Sequence, residues 1–209
     1  MSILSLFLVA TLQSPADQAI DAAVKAYSDI RTAKASFEQT ITNPLLGSKL
    51  NSKGNFEQSR PNRFAFRFTD PKGDVIICDG RYVWVYLPTS TPGRVSRAPC
   101  GGQAGALDLI GEFFTNPRDR YTIGDGGAVT VGTKKAHIVQ LTPKSKEADF
   151  VRAKVWIDLA NGSLLQFEAV EPNGVTRLVK ITSFTPNAPV SASAFTFTVP
   201  KGVKVVDIK

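Results

Sequence analysis

Most of the chain is written in short stretches where apolar and polar residues alternate. The clearest runs from Asn55 to Leu87, NFEQSRPNRFAFRFTDPKGDVIICDGRYVWVYL. Phe64, Phe66 and Phe68 alternate there with Arg63, Ala65 and Arg67, so one face of that strand is all phenylalanine. Asp70-Pro71-Lys72-Gly73 ends it, a second strand occupies 75–78, and Asp79-Gly80 turns into a third at 82–86. Asp-Gly between two apolar runs predicts a hairpin. The same alternation predicts strands at 37–42, 50–58 (weakened by Gly54), 94–97, 121–123, 129–131 and 136–142. It continues at 151–159, 163–170, 175–184, 195–199 and 203–208, with Asn161-Gly162 and Asn173-Gly174 as hairpin turns. Gly124-Asp125-Gly126-Gly127 reads as a turn between two strands.

Helical spacing replaces alternation in two places. Over 17–34, Ile20, Val24, Tyr27 and Ile30 form one stripe with Ala23 beside it, and Asp21, Lys25, Asp29 and Arg31 face away. Over 103–116, Leu107, Ile110 and Phe113/Phe114 recur at helical spacing until Asn116-Pro117. This second helix reads equally as a surface helix packed on the core or as a lid. Consecutive hairpins make an antiparallel meander whose apolar face must be hidden. The predicted fold is mainly β with α: one strongly curved antiparallel sheet, an incomplete β-barrel, lidded by short helices. Such a shape leaves an apolar hollow suited to a lipid-like ligand, with a filled core as the alternative.

Residues 3–12 form a short apolar run followed by Ser14-Pro15-Ala16, the pattern of a secretory signal peptide spanning 1–16. No Lys or Arg precedes the run, and a buried first strand or helix is the alternative. The run is too short to span a bilayer. A single domain over 17–209 is expected, in an exported, soluble protein of the periplasm. In an oxidising compartment Cys78 and Cys100 can pair, which would pin the loop before Leu107 to the sheet; two separate thiols are the alternative.

The formal charge of +7 is spread along many strands among acidic residues. It forms no basic run and no nucleic-acid motif, so it reads as a solvated surface. The single histidine, His137, sits in an ordinary strand. No Gly-x-Ser-x-Gly elbow occurs, and Asp70, Asp74 and Asp79 lie beside Pro or Gly, as turn aspartates do. The expectation is a protein that is not an enzyme and holds neither metal nor cofactor.

Several segments carry a family resemblance. Arg60-Pro61-Asn62-Arg63-Phe64, followed by Asp79-Gly80, Trp84-Val85-Tyr86 and Pro88, resembles the outer-membrane lipoprotein carrier (LolA) family. Ala35-Ser36-Phe37-Glu38-Gln39 resembles that family's helix-to-strand junction; Phe195-Thr196-Phe197 with Pro200-Lys201-Gly202-Val203 resembles its C-terminal signature. The match runs in register from about Asp17 to Asp207. Cys78, Cys100 and a shorter, Gly-rich approach to the second helix depart from the pattern.

The resemblance implies a periplasmic chaperone, a monomer, that binds the acyl chains of lipoproteins. It implies receipt of cargo from an inner-membrane ATP-driven release complex and delivery to an outer-membrane lipoprotein receptor. Exposing three acyl chains of roughly fifteen methylenes each would cost on the order of 30 kcal/mol, so a carrier is required. By the same resemblance Arg60 is a latch that bonds lid carbonyls near Tyr27, Ile30 and Ile110. Phe64, Phe66 and Phe68 would floor the pocket, and Tyr27, Ile30, Ile110 and Phe113 would form the underside of the lid. Trp84 is carried as a pocket residue, although Tyr82/Trp84/Tyr86 and Val83/Val85/Leu87 are both apolar enough to face inward. Alternatives are a carrier of another amphiphile, such as a glycolipid, and a non-catalytic sensor or scaffold that binds a protein partner.

Overall fold

The computed structural model describes residues 13–100 and 111–208. Twelve strands form one curved open sheet that does not close into a barrel. They are β1 (Thr32–Asn43), β2 (Ser48–Ser59), β3 (Arg63–Asp70), β4 (Lys72–Asp79), β5 (Tyr82–Tyr86), β6 (Arg94–Pro99), β7 (Tyr121–Val131), β8 (Lys134–Pro143), β9 (Arg152–Asp158), β10 (Leu164–Val170), β11 (Thr176–Pro186) and β12 (Lys204–Asp207). The order across the sheet is β12-β6-β5-β4-β3-β2-β1-β11-β10-β9-β8-β7, antiparallel except where β12 joins β6 in parallel. The two chain halves therefore meet in the middle of the sheet, where β1 pairs with β11.

Helix α1 (Pro15–Ser28) opens the described chain. The Ser14 hydroxyl accepts the Asp17 N–H at 3.1 Å, and Pro15 occupies the first turn, where its missing N–H costs nothing. Ala16, Ala19, Ile20, Ala23 and Tyr27 are buried against the concave face of the sheet. The helix ends six residues before the predicted limit at 34. Residues 32–34 are drawn into β1, which gains ladder partners on both sides in β2 and β11. The Asn187 side chain holds the junction, accepting the Arg31 N–H at 2.8 Å and donating to the Asp29 carbonyl at 3.2 Å. The cap Ser14 precedes the point where the expected leader would end; most of that leader, 1–12, lies outside the described residues.

Gly162, in the β9–β10 turn, sets how closely α1 approaches. A Cβ there would stand 2.5 Å from the Ala22 carbonyl oxygen, and φ is +72°. Only glycine allows that backbone contact in that conformation.

Two predicted strand features differ in the structure. Residues 121–131 are one strand, β7, and the Gly-rich segment is a bulge between Asp125 and Ala128. A Cβ on Gly126 would meet Ile138 at 2.6 Å, and Gly127 has φ +84°, so the glycines permit a bulge where a turn was expected. Residues 195–199 are no strand. A short 3-10 turn (Ala192–Phe195) and the segment after it lie across the convex face, where Phe195 packs with Ala65 and Ile77. β5 lies between β4 and β6, and the outer side of β6 is taken by β12, so this segment covers the sheet rather than extending it.

The described part of the second helical region holds two short helices, α2 (Gly111–Phe114) and α3 (Pro117–Arg120). Asn116-Pro117 ends the first and starts the second: Asn116 takes a left-handed conformation, φ 46°, and Pro117 opens α3. Leu107 and Ile110 lie outside the described residues. Arg118 of α3 pairs with Asp17 and Asp21 of α1, which ties the two helical elements together over the sheet. Cys78 and Cys100 are joined by a disulfide, tying the end of β4 to the residue after β6.

Candidate functional site

The concave face holds an open cavity of about 470 Å³. Its floor is aromatic for a reason visible in the registers. Phe37 of β1, Gly54 of β2 and Phe68 of β3 are cross-strand neighbours. Gly54 contributes no side chain, so the Phe37 and Phe68 rings meet above it, edge to face with centroids 5.5 Å apart. Phe66 joins them at 5.8 Å from Phe37. The opposite wall is Phe167 of β10 with Phe150. Phe113 of α2 closes over both, 5.0 Å from Phe167 and 6.0 Å from Phe150.

Phe113 is held there from behind. Its neighbour Glu112 accepts hydrogen bonds from Tyr121 Oη at 2.7 Å and from Arg120 at 2.5 Å, and the Glu112 carbonyl accepts Arg120 at 2.6 Å. Burial pushes the Tyr121 hydroxyl well above the usual tyrosine range, and the Glu112 carboxylate adds to that. Tyr121 therefore stays a protonated donor throughout the neutral range. The cavity opens at a polar rim, where Arg177 donates to Gln39 Oε1 at 2.9 Å and Gln39 donates to Ser52 at 3.1 Å.

Phe66, Phe68 and Phe113 thus lie together at the cavity. Phe64 is on the same face but deeper in the core, 5.9 Å from Phe66. Tyr27 and Ile30 border a second hollow of about 220 Å³ under the end of α1, with Phe114. Trp84 is not a pocket residue. Val83 and Val85 face the concave core, while Trp84 lies on the convex side, its ring 5.5 Å from Phe197 and its indole N–H donated to Asp79 at 2.8 Å. Both faces of β5 are covered, which is why both look apolar in the sequence. Phe37, Phe150 and Phe167 also line the cavity, and for Phe37 the sequence signal is its alternation with Ala33 and Ala35 in β1.

The model of the family described as outer membrane lipoprotein carrier protein LolA matches residues 28–96 and 115–198. The chain belongs to this family. The outer-membrane lipoprotein carrier protein of Methylibium petroleiphilum is 31% identical over 191 residues, covering 90% of this chain and 89% of that protein. That of Cupriavidus taiwanensis is 28% identical over 202 residues, covering 93% and 91%. Among solved structures, an uncharacterized conserved protein from Thermus thermophilus superposes with a TM-score of 0.59 at 14% identity, over 93% of this chain and 100% of that one. MucB superposes at 0.53 and 14% identity, over 89% and 64%. These two show the fold alone.

Within this LolA-family fold, Arg60 sits in the β2–β3 turn beneath the end of α1. Its guanidinium lies over the Tyr27 ring, 3.6 Å from the centroid, and its backbone N–H is donated to the Arg31 carbonyl at 2.9 Å. Among the described residues its side chain meets α1 through that ring face rather than through a carbonyl. His137, 2.8 Å from Asp125, bridges β8 to the β7 bulge as a structural pair. No group of three or more metal-ligating side chains occurs among the described residues.

Proposed function

We propose that the cavity between the phenylalanine floor and Phe113 binds the acyl chains of lipoproteins, and that the protein carries them through the periplasm from the inner to the outer membrane. The observation that carries this reading is an open apolar hollow of about 470 Å³ in a chain of the lipoprotein carrier family. The chain is a non-catalytic chaperone that takes part in lipoprotein transport. Its proposed partners are acylated lipoproteins, an inner-membrane ATP-driven release complex that loads them, and an outer-membrane receptor that accepts them.

Acyl chains bind by exclusion from water, which is non-directional and needs no placed polar groups. That fits a wall of phenylalanine that tolerates any chain. Release then requires competition from the protein itself. Phe113 fills part of the hollow, and Arg60 holds the end of α1 by its contact with Tyr27. Cargo would displace these contacts on loading, and their return would favour unloading. Depletion in the source bacterium tests the function: outer-membrane lipoproteins should accumulate at the inner membrane. Normal sorting after depletion would refute it.

A further inference from the structure

Seven large apolar side chains stand exposed among the described residues, and four of them, Leu45, Leu46, Leu50 and Val151, lie at one end of the sheet. The registers define that end. β1 and β2 close at Asn43 and Ser48, but β2 pairs with β3 only from Lys53 onward, and β1 meets β11 last at Thr42. The hairpin tip therefore overhangs both neighbouring strands. It is also a fixed turn: Asn43 Oδ1 accepts the N–H groups of Leu45 and Leu46 at 3.0 and 3.2 Å, and Gly47 takes φ +60°. At 82% and 77% exposure the two leucines are held outward, with no cover among the described residues.

The polar residues that border the cavity, Gln39, Asp149, Glu171 and Arg177, lie toward this same end. The cavity's polar rim uses Gln39 and Ser52, and by strand alternation Leu50 stands on the same face as Ser52, just beyond that rim. Across the opening, Phe150 lines the cavity and the next residue, Val151, is half exposed at the start of β9. Exposed apolar residues thus flank the mouth on two sides. Lys49, Lys53 and Lys72 are exposed at the same end and have no ion-pair partner among the described residues; Glu38 and Asp70 stand opposite Lys53 in the sheet, and Asp149 and Glu171, the latter paired with Arg177, border the cavity.

We propose that this end is a membrane-docking surface, with the β1–β2 hairpin inserting Leu45 and Leu46 into the interface of an anionic bilayer. The leucines would sit at the acyl boundary while the lysines meet anionic headgroups, the pairing that favours interfacial binding. The role of this docking rests on the carrier reading: with the mouth against the bilayer, an acyl chain would pass between cavity and membrane without crossing water. A soluble protein partner or a second copy of this chain could cover the leucines instead; two leucines fixed at a turn tip beside the cavity, with unpaired lysines next to them, favour the bilayer.

The test is flotation with vesicles of phosphatidylethanolamine and phosphatidylglycerol, using the full chain and the double variant Leu45→Asn/Leu46→Asn. Thermal melting of both checks that the fold is kept. Uptake of a triacylated peptide from detergent is measured in parallel. Wild type should float with the vesicles, and the variant should bind about tenfold or more weaker. Acyl uptake from detergent should be equal in the two. Wild type that stays in the soluble fraction, a variant that floats equally well, or a leucine-dependent dimer in its place would overturn docking. Vesicle binding without acyl uptake by wild type would instead refute the carrier reading and leave the docking surface standing.

Discussion

Arg60 and Asp79 show how much one side chain can hold in this fold. The contact of Arg60 with the Tyr27 ring is the one described link from the β2–β3 turn to a helix side chain, and a cation over a ring is worth about 1 to 2 kcal/mol when partly desolvated. Arg60→Leu is expected to load acylated cargo and to hand it to an acceptor on the order of tenfold more slowly. Loading and handover at wild-type rates would exclude a latch. Asp79 accepts the N–H groups of Arg81 and Tyr82 at 2.7 and 2.8 Å and the Trp84 indole N–H at 2.8 Å. Burial pushes its carboxyl up, but the Trp84 indole and the two amides together outweigh that and hold it below the usual range. A carboxyl lowered on folding adds stability above its unfolded value near 3.9, and loses it as pH falls through the folded value. Asp79→Asn should therefore cost about 1 to 2 kcal/mol in urea unfolding at pH 7, with a difference that shrinks below about pH 4. A difference independent of pH would contradict this account. Residue patterns gave the phenylalanine face of β3 directly. They misassigned Trp84, because Phe195 and Phe197 cover the convex side and leave β5 no polar face to read. Gly54 looked like a flaw in a strand because the rings that meet above it come from two other strands.

Elements were legible wherever local alternation coincided with two-sided pairing. Most strand centres were readable in this way, and the Asn-Gly and Asp-Gly turns set the hairpins. Misreadings arose where a distant partner decides. β1 takes the last residues of the predicted first helix because β2 and β11 both offer ladder partners. The glycines of β7 form a bulge because β8 pairs on either side of it. Gly162 is the element-scale counterpart, since its role is fixed by a helix some 140 residues earlier in the chain. Gly162→Ala should lift α1 from the β9–β10 turn and cost on the order of 1 to 3 kcal/mol. Amide hydrogen exchange should then show faster exchange in α1 with β1 to β5 unchanged. Protection of α1 equal to wild type would mean that the close approach does not position the helix.

For the whole molecule, the central quantity is the size of the hollow. If each methylene takes about the ~30 Å³ share of a liquid water, the cavity of about 470 Å³ among the described residues holds on the order of fifteen methylenes, nearer one acyl chain than three. A triacylated cargo therefore requires Phe113 and the end of α1 to move away from the sheet. That requirement was not legible in the sequence: alternation marks an apolar face without saying whether side chains fill the space before it. The most direct measurement is photocrosslinking with a triacylated peptide whose acyl chains carry a photoreactive group, followed by mass-spectrometric mapping. The account predicts adducts on Phe37, Phe66, Phe68, Phe113 and Phe167. Adducts confined to the convex face around Trp84 and Phe197, or no adducts at all, would contradict it.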